Sequence, residues 1–136
     1  MELWLVRHSQ AQSPSQWLGD DFDRPLTDKG RTYFVNQARL LLAAASNIEG
    51  VLYSPALRCA ETAEILCEEI GNTVFLKSVP WLLIDTKFAA ILSALKKYNE
   101  KCLVLVGHQP EMESVYSHFT SELSFFQPGD FKRVDT

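Results

Sequence analysis

Two positions near the start of the sequence combine a permanent positive charge with an imidazole. Arg7 and His8 follow the apolar run "LWLV", and a second histidine, His108, follows another apolar run, "CLVLVG", far along the chain. An unprotonated imidazole nitrogen is a nucleophile, and a guanidinium donates paired hydrogen bonds to neighbouring phosphoryl oxygens. These residue types are suited to phosphoryl transfer, provided that the fold brings them together.

The strands that must position these groups are the two apolar runs themselves. The predicted strands are residues 2–6 and 102–107. Leu3–Val6 and Cys102–Val106 are apolar at successive positions, which is typical of central parallel strands buried on both faces. Because the carboxyl ends of parallel strands lie at the same edge of a sheet, we expect Arg7, His8 and His108 to converge there.

A third buried strand is predicted in "GVLYSP", residues 50–55, and it leads into a helix. Ser54 is expected to cap this helix and Pro55 to occupy its first turn. Gly71 is expected to close it. Arg58 lies in the first turns, so the same sheet edge gains a second guanidinium together with the free N–H groups of a helix start. Two arginines, two imidazoles and a helix N-terminus form a site for a phosphoryl group.

The remaining elements follow from hydrophobic periodicity and turn residues. The sequence predicts helices at about 27–46, 86–98 and 110–119, a strand at 73–79, and a strand at 131–134 after a turn at Pro128–Gly129. Alternating strands and helices indicate the α/β class. We expect a single three-layer domain over residues 1–136, with a largely parallel central sheet flanked by helices.

Composition limits the classes of partner. The chain has 136 residues, 46% hydrophobic and 22% charged, which is typical of a globular domain. Its net charge is -4 and no Lys/Arg-rich block is present, so we expect no nucleic-acid partner. Any anion site must be a local pocket of positive charge.

Cysteine usage and hydropathy bear on localisation. The three cysteines are an odd number, and Cys59 and Cys67 lie on one predicted helix, too far apart to bridge. This pattern favours a reducing, cytoplasmic setting. The opening apolar run is too short for a signal-peptide core, and no run approaches membrane-spanning length. We therefore expect a cytoplasmic protein without a membrane partner.

Four segments, in order, carry a resemblance to a known family: "VRHSQA", "RPLTDKGR", "YSPALRCAETAEIL" and "LVGHQP". They resemble motifs of the histidine phosphatase superfamily, also called phosphoglycerate-mutase-like, and in particular its SixA-type phosphohistidine phosphatases. The resemblance extends from residue 3 to about residue 110, with a weaker echo in "FQPGDFKRV". It implies the phosphoglycerate mutase-like fold and a phosphatase that needs neither a metal nor another cofactor.

The resemblance also implies roles for individual residues. His8 is the residue phosphorylated during turnover, and Arg7, Arg58 and His108 surround the phosphoryl group. On this basis His8 attacks through an unprotonated nitrogen while an acceptor such as a backbone carbonyl holds the proton of the other, and His108 donates to a phosphoryl oxygen. Arg24 of "RPLT" either approaches the phosphoryl group or lies in a solvated loop.

The sequence departs from the family pattern at three places. Ser9 replaces the usual glycine after the first histidine, and Gln109 replaces the frequent asparagine after the second. Many members also supply a glutamate as general acid after the third strand, where this chain reads "VPWLLID" and Asp85 is the nearest acid. An alkoxide leaving group needs a placed acid, whereas an imidazole departs more readily. The missing glutamate therefore favours phosphohistidine as the substrate.

The short connections between motifs point to the same substrate class. They leave little chain for a lid over a small molecule, which favours a phosphohistidine presented by another protein, such as a phosphotransfer domain. Two alternatives stay open: a small-molecule phosphomonoesterase of the same superfamily, and a module that binds phosphohistidine or phosphate without turning it over.

Ordinary structural explanations account for other polar residues. A lone histidine at a strand end is usually just hydrogen-bonded, and His118 is expected to be such a surface or packing residue. The acidic run at residues 20–23 is expected to be a solvated loop, or else a surface that recruits a basic partner. No histidine pair has the close spacing of a zinc site, and the arginines would repel a cation, so we expect no metal.

Overall fold

The strands and helices follow the order that the sequence predicts. The computed structural model describes residues 1–71 and 73–136. The strands are β1 (Glu2–Arg7), β2 (Gly50–Tyr53), β3 (Phe75–Ser78), β4 (Cys102–Gly107) and β5 (Phe131–Asp135), and the α-helices are α1 (Asp28–Ala44), α2 (Leu57–Ile70), α3 (Phe88–Leu95) and α4 (Glu111–Thr120). Within these residues, no helix has the length and apolar character needed to cross a membrane.

The five strands form one sheet in the order β3-β2-β4-β1-β5. The pairs β1–β4, β2–β4 and β2–β3 are parallel, and β5 runs antiparallel to β1 at one edge. The predicted α/β class with a largely parallel sheet is therefore confirmed, as is the edge strand after Pro128–Gly129.

Alternating side chains divide the core into two layers, one on each face of the sheet. Trp4 and Val6 of β1 pack with buried residues of α1 and α2, whereas Leu3 and Leu5 pack with buried residues of α3 and α4. Successive strand residues point to opposite faces, so an uninterrupted apolar strand requires helices on both sides. The predicted three-layer arrangement is confirmed.

The glycine in "TDKGR" allows α1 to approach the segment that follows β1. Thr27 caps α1 by accepting a hydrogen bond from the N–H of Gly30 at 2.9 Å. A Cβ on Gly30 would lie 2.2 Å from the backbone oxygen of Gln10, far inside van der Waals contact. Only glycine permits this approach, which holds the first turn of α1 against the chain just beyond His8.

The start of α2 differs from the prediction, whereas its end does not. Gly71 closes the helix in the left-handed conformation, with φ of 92°. The N-cap is Ala56, without a side-chain cap, and Pro55 lies before the helix. The prediction that Ser54 caps α2 is wrong because the Ser54 N–H donates to the Val106 oxygen at 3.0 Å, which continues the β2–β4 ladder. The Ser54 hydroxyl lies within hydrogen-bond distance of His108.

Candidate active site

The pairing of β1 with β4 brings the two histidines together. Arg7 lies opposite Gly107 in the parallel register, so His8 and His108 leave neighbouring strands at the same level. Their ring centroids are 5.5 Å apart, with an angle of 66° between the ring planes. The chain then passes from β1 to α1 on one face and from β4 to α4 on the other. Such a point between adjacent strands is where open α/β sheets form a crevice.

A pocket of about 290 Å³ lies at this sheet edge. All five residues predicted for the site line it: Arg7, His8, Arg24, Arg58 and His108. Gln10, Ala11, Pro14, Ile84, Gln109 and Pro128 complete the lining. The structure thus places three guanidinium groups and two imidazoles around one space, although they come from distant parts of the chain.

The hydrogen bond of His8 defines which of its nitrogens is free. Its Nδ1 lies 2.8 Å from the backbone oxygen of Ser9, and because a carbonyl oxygen only accepts, Nδ1 carries the proton. Burial lowers the pKa of His8 to about 3; the guanidinium charges of Arg58 and Arg7 act in the same direction, and the hydrogen bond to Ser9 opposes them. The ring is therefore neutral near pH 7, and Nε2 has a lone pair available for attack.

His108 is almost fully buried and also neutral near pH 7. Burial and the neighbouring Arg58 lower its pKa to about 4. Its Nε2 lies 2.9 Å from Ser54 Oγ. Its Nδ1 has no hydrogen-bond partner within the described chain.

Two of the arginines are held by backbone carbonyls. Arg7 Nη1 donates to the oxygen of Phe126 at 2.7 Å, and Arg58 Nη1 donates to the oxygen of Asp21 at 2.9 Å. The Nε atoms of Arg7 and Arg58 are buried without a partner in the described residues. Buried donors in native proteins are rarely left unpaired, and the exceptions are common at functional sites. His108 Nδ1 is a third buried nitrogen of this kind, and all three belong to residues that line the pocket.

The side chain of Asp21 connects Arg24 with Arg58. Its carboxylate accepts from Arg24 Nε at 3.0 Å and from Arg58 Nη2 at 3.2 Å. Arg24 is further held by a 2.7 Å hydrogen bond to the oxygen of Gln12. The acidic residues Asp20, Asp21 and Asp23 are exposed, as predicted for a solvated loop. The sequence did not indicate that the short helix at residues 21–23 contacts α2, so that Asp21 also meets the buried guanidinium of Arg58.

No carboxylate side chain lines the pocket within the residues that the structure describes. Burial acts to raise the pKa of Asp21, but the hydrogen bond from Arg24 and the charges of Arg58 and Arg24 outweigh it, and the pKa lies below its ordinary value. Asp21 is thus an unsuitable proton donor. Asp85 is exposed, with φ of 67°, and does not line the pocket.

Glu111 is a buried acid that the sequence analysis missed. It is the first residue of α4, is 7% exposed, and has an Oε1 atom without a partner in the described chain. Burial and the nearby Asp85 raise its pKa. A glutamate in the first turn of a helix is an ordinary sequence feature. Only the packing of α4 against the loop at Asp85 distinguishes Glu111, and its side chain does not line the pocket.

Two further polar contacts explain how the chain tolerates Ser9. Its N–H donates to Thr62 Oγ1 at 3.1 Å, and its hydroxyl donates to the oxygen of Gly30 at 2.8 Å. Thr62 in turn donates to the oxygen of Arg58 at 2.7 Å. The segment after His8 is therefore bonded to both α1 and α2, and the side chain at position 9 takes part in that connection.

Within the described residues, no group of three or more histidine, cysteine, aspartate or glutamate side chains is arranged to hold a metal ion. The charge balance of the pocket comes instead from its arginines and from Asp21.

The amino-acid sequence is similar to those of known proteins. The family model of the histidine phosphatase superfamily (branch 1) matches residues 3–78. An uncharacterized protein of Picosynechococcus sp. strain PCC 7002 is 36% identical over 132 residues, covering 95% of this chain and 76% of that protein.

Solved structures show the same fold. The protein histidine phosphatase SixA complexed with tungstate aligns with a TM-score of 0.78 and 22% identity, covering 98% of this chain and 94% of that one. The alpha-ribazole phosphatase from Shigella flexneri aligns with a TM-score of 0.79 and 17% identity, covering 99% and 90%. The predicted phosphoglycerate mutase-like fold is therefore confirmed.

Proposed function

The chain belongs to the histidine phosphatase superfamily, and from this premise we propose that it is a metal-independent phosphatase that removes the phosphoryl group from phosphohistidine in a partner protein. One observation carries the proposal: two imidazoles and three guanidinium groups line a pocket to which no described carboxylate side chain contributes. The proposed catalytic residues are His8, Arg7, Arg58 and His108, and Arg24 joins them in binding phosphate.

The first step is in-line attack of His8 Nε2 on phosphorus. The P–N bond to the substrate imidazole breaks as the P–N bond to His8 forms, and the departing ring takes a proton from water. Arg7, Arg58 and His108 donate to the equatorial oxygens, where phosphoryl transfer depends mainly on positioning and charge neutralisation. In the second step water attacks phosphorus and the P–N bond to His8 breaks, which releases inorganic phosphate and regenerates the free imidazole. The proton that this water loses neutralises the hydroxide left when the departing ring was protonated.

The absence of a carboxylate side chain among the described residues of the pocket supports one kind of leaving group over another. When a sugar phosphate is cleaved, the sugar leaves as an alkoxide. A placed general acid contributes about 10²- to 10⁴-fold to such a step. Asp21 contacts the arginines, but its pKa is lowered. Asp85 is exposed and does not line the pocket. An imidazole leaving group avoids this requirement, which supports phosphohistidine as the substrate.

Apolar side chains at the pocket support a protein partner. Ile84 lines the pocket and is 46% exposed, and Phe125 is 56% exposed with its ring 5.7 Å from Arg7 Cζ. Exposed apolar groups beside a charged pocket suit contact with another protein surface, such as a phosphotransfer domain. The three cysteines are free and buried, which supports a reducing, cytoplasmic location.

The proposed substrate class predicts a difference in turnover. The value of kcat/KM should be about 10²-fold or more higher for a phosphohistidine-bearing phosphotransfer domain than for sugar phosphates, because no carboxylic acid among the described pocket residues can protonate the alkoxide that a sugar phosphate releases. The measurement compares phosphate release from the phosphorylated domain with release from a panel of sugar phosphates, using His8→Ala to subtract spontaneous hydrolysis.

Two results would contradict the proposal. Efficient turnover of sugar phosphates alone would make the protein a small-molecule phosphomonoesterase. No turnover of any substrate, with tight tungstate binding retained, would make it a binding module.

Arginine-based charge neutralisation also predicts that chelation leaves the activity intact. After exhaustive dialysis against EDTA, the rate of phosphohistidine hydrolysis should stay unchanged, because Arg7 and Arg58 supply the positive charge that a metal supplies elsewhere. A zinc-dependent phosphatase treated in parallel verifies that chelation is complete. Loss of activity that magnesium or zinc restores would contradict this charge assignment.

A further inference from the structure

Ser54 lies directly behind the ring of His108, on the side away from its unpartnered nitrogen. Its Oγ is 2.9 Å from His108 Nε2, and its side chain is fully buried. Its backbone N–H donates to the oxygen of Val106 at 3.0 Å, two residues before the histidine. The backbone that carries this hydroxyl is thus held in place by the β2–β4 ladder.

The protons at His108 can be counted. A neutral imidazole carries one N–H, so the proton is either on Nε2, facing Ser54, or on Nδ1. With the proton on Nε2, the lone pair of Nδ1 would be left to meet phosphoryl oxygens, which also carry lone pairs and negative charge. With the proton on Nδ1, that atom donates to a phosphoryl oxygen and Nε2 must accept a hydrogen bond. The second arrangement requires a donor at the position of Ser54.

The Ser54 hydroxyl can be that donor. Ser54 Oγ lies 3.4 Å from the backbone nitrogen of Ala56. It can accept a hydrogen bond from that N–H while its own proton points to His108. The other polar atom near Nε2 is Cys59 Sγ at 3.6 Å. A thiol is a weak donor, and burial raises the pKa of Cys59 to about 12, so it stays protonated and does not act as a charged partner.

We propose that Ser54 is a positioning residue: its hydroxyl donates to His108 Nε2 and thereby holds the proton of His108 on Nδ1, aimed at the phosphoryl group. The inference rests on the proposed function for its catalytic consequence, since His108 acts on phosphate only in that reaction. The tautomer itself is a property of the free protein. Ser54 touches no reacting atom and acts only through His108.

The first measurement locates the proton by NMR. Long-range ¹H–¹⁵N correlation on protein with ¹⁵N-labelled histidine distinguishes the protonated from the unprotonated ring nitrogen, and the His108 signals are those lost in His108→Ala. In the wild type we expect Nδ1 to be protonated. In Ser54→Ala the proton should shift towards Nε2, whereas Cys59→Ala, which changes a neighbour of the same nitrogen but keeps the hydroxyl, should leave it on Nδ1.

The second measurement follows the catalytic consequence. Ser54→Ala should slow phosphoenzyme formation by about 10- to 100-fold, the range observed when the hydrogen-bond partner that orients a metal-bound histidine is removed. It should also weaken tungstate binding, which requires no turnover. Ser54→Thr retains a hydroxyl and should restore both the Nδ1 proton and most of the rate, which loss of packing alone would not explain.

If the wild-type protein carries the His108 proton on Nε2, the inference is wrong. It is also wrong if Ser54→Ala changes neither the His108 tautomer nor the rate of phosphoenzyme formation. If the wild type forms no phosphoenzyme, the proposed function fails. The tautomer and the tungstate affinity then still decide the role of Ser54.

Discussion

His8→Ala should abolish the covalent phosphoenzyme. His8 is the histidine whose Nδ1 is bonded to a backbone carbonyl, which leaves Nε2 unprotonated, and its pKa of about 3 keeps the ring neutral at the pH of the reaction. Alanine removes the only atom proposed to attack phosphorus. Incubation with a ³²P-labelled phosphohistidine protein, followed by quenching in alkali, should label the wild type with an acid-labile, alkali-stable group and leave His8→Ala unlabelled.

The matched control removes a histidine outside the pocket. His118 packs against Phe88, with ring centroids 5.0 Å apart, and does not line the pocket. His118→Ala should therefore be labelled like the wild type. Undiminished label in His8→Ala, or label mapped by mass spectrometry to another residue, would show that the nucleophile is wrongly assigned.

His108→Ala should slow phosphoenzyme formation by about 10²- to 10³-fold, the range observed when one donor to a developing charge is removed. His108 is 1% exposed and lies beside His8, and its Nδ1 has no partner within the described chain. Its loss leaves Arg7 and Arg58 to neutralise the oxygens, so reaction is slower but not abolished. Rapid-quench labelling measures the rate, and the label should remain on His8.

The two histidine variants separate covalent from electrostatic roles. A His108→Ala protein that never labels, although urea unfolding shows it to be as stable as the wild type, would mean that His108 is also indispensable to bond formation. A rate within about twofold of the wild type would mean that it does not contact the phosphoryl group, since one such donor contributes far more.

Asp21 gives the pocket a property that the residue types alone did not indicate. Its carboxylate bonds both Arg24 and Arg58, so one negative charge is already placed among three guanidinium groups. This contact fixes the terminal nitrogens of Arg58 while leaving its Nε unpartnered within the described chain. The buried arginine is therefore stabilised before phosphate binds, which limits the reorganisation that binding requires.

Local sequence features were good predictors where a local cause determines the structure. The apolar runs before Arg7 and His108 predicted buried strands that end at those residues, and Gly71 predicted the end of α2. Ser54 shows where local reasoning fails. A serine followed by proline before a helix is a typical cap, but pairing with Val106 keeps its backbone in the sheet and turns its hydroxyl to His108.

The residue types and their local pattern were enough to identify the chemical groups and the elements that carry them: a histidine after each of two buried strands, and an arginine in the first turn of a helix. Packing over the whole chain was needed to place β4 next to β1 with Arg7 opposite Gly107, and to bring Asp21 to Arg58. Periodicity and turn residues act over only a few neighbouring positions. Strand order and register instead depend on how all the helices and strands pack together, and several equally apolar strands do not specify their neighbours.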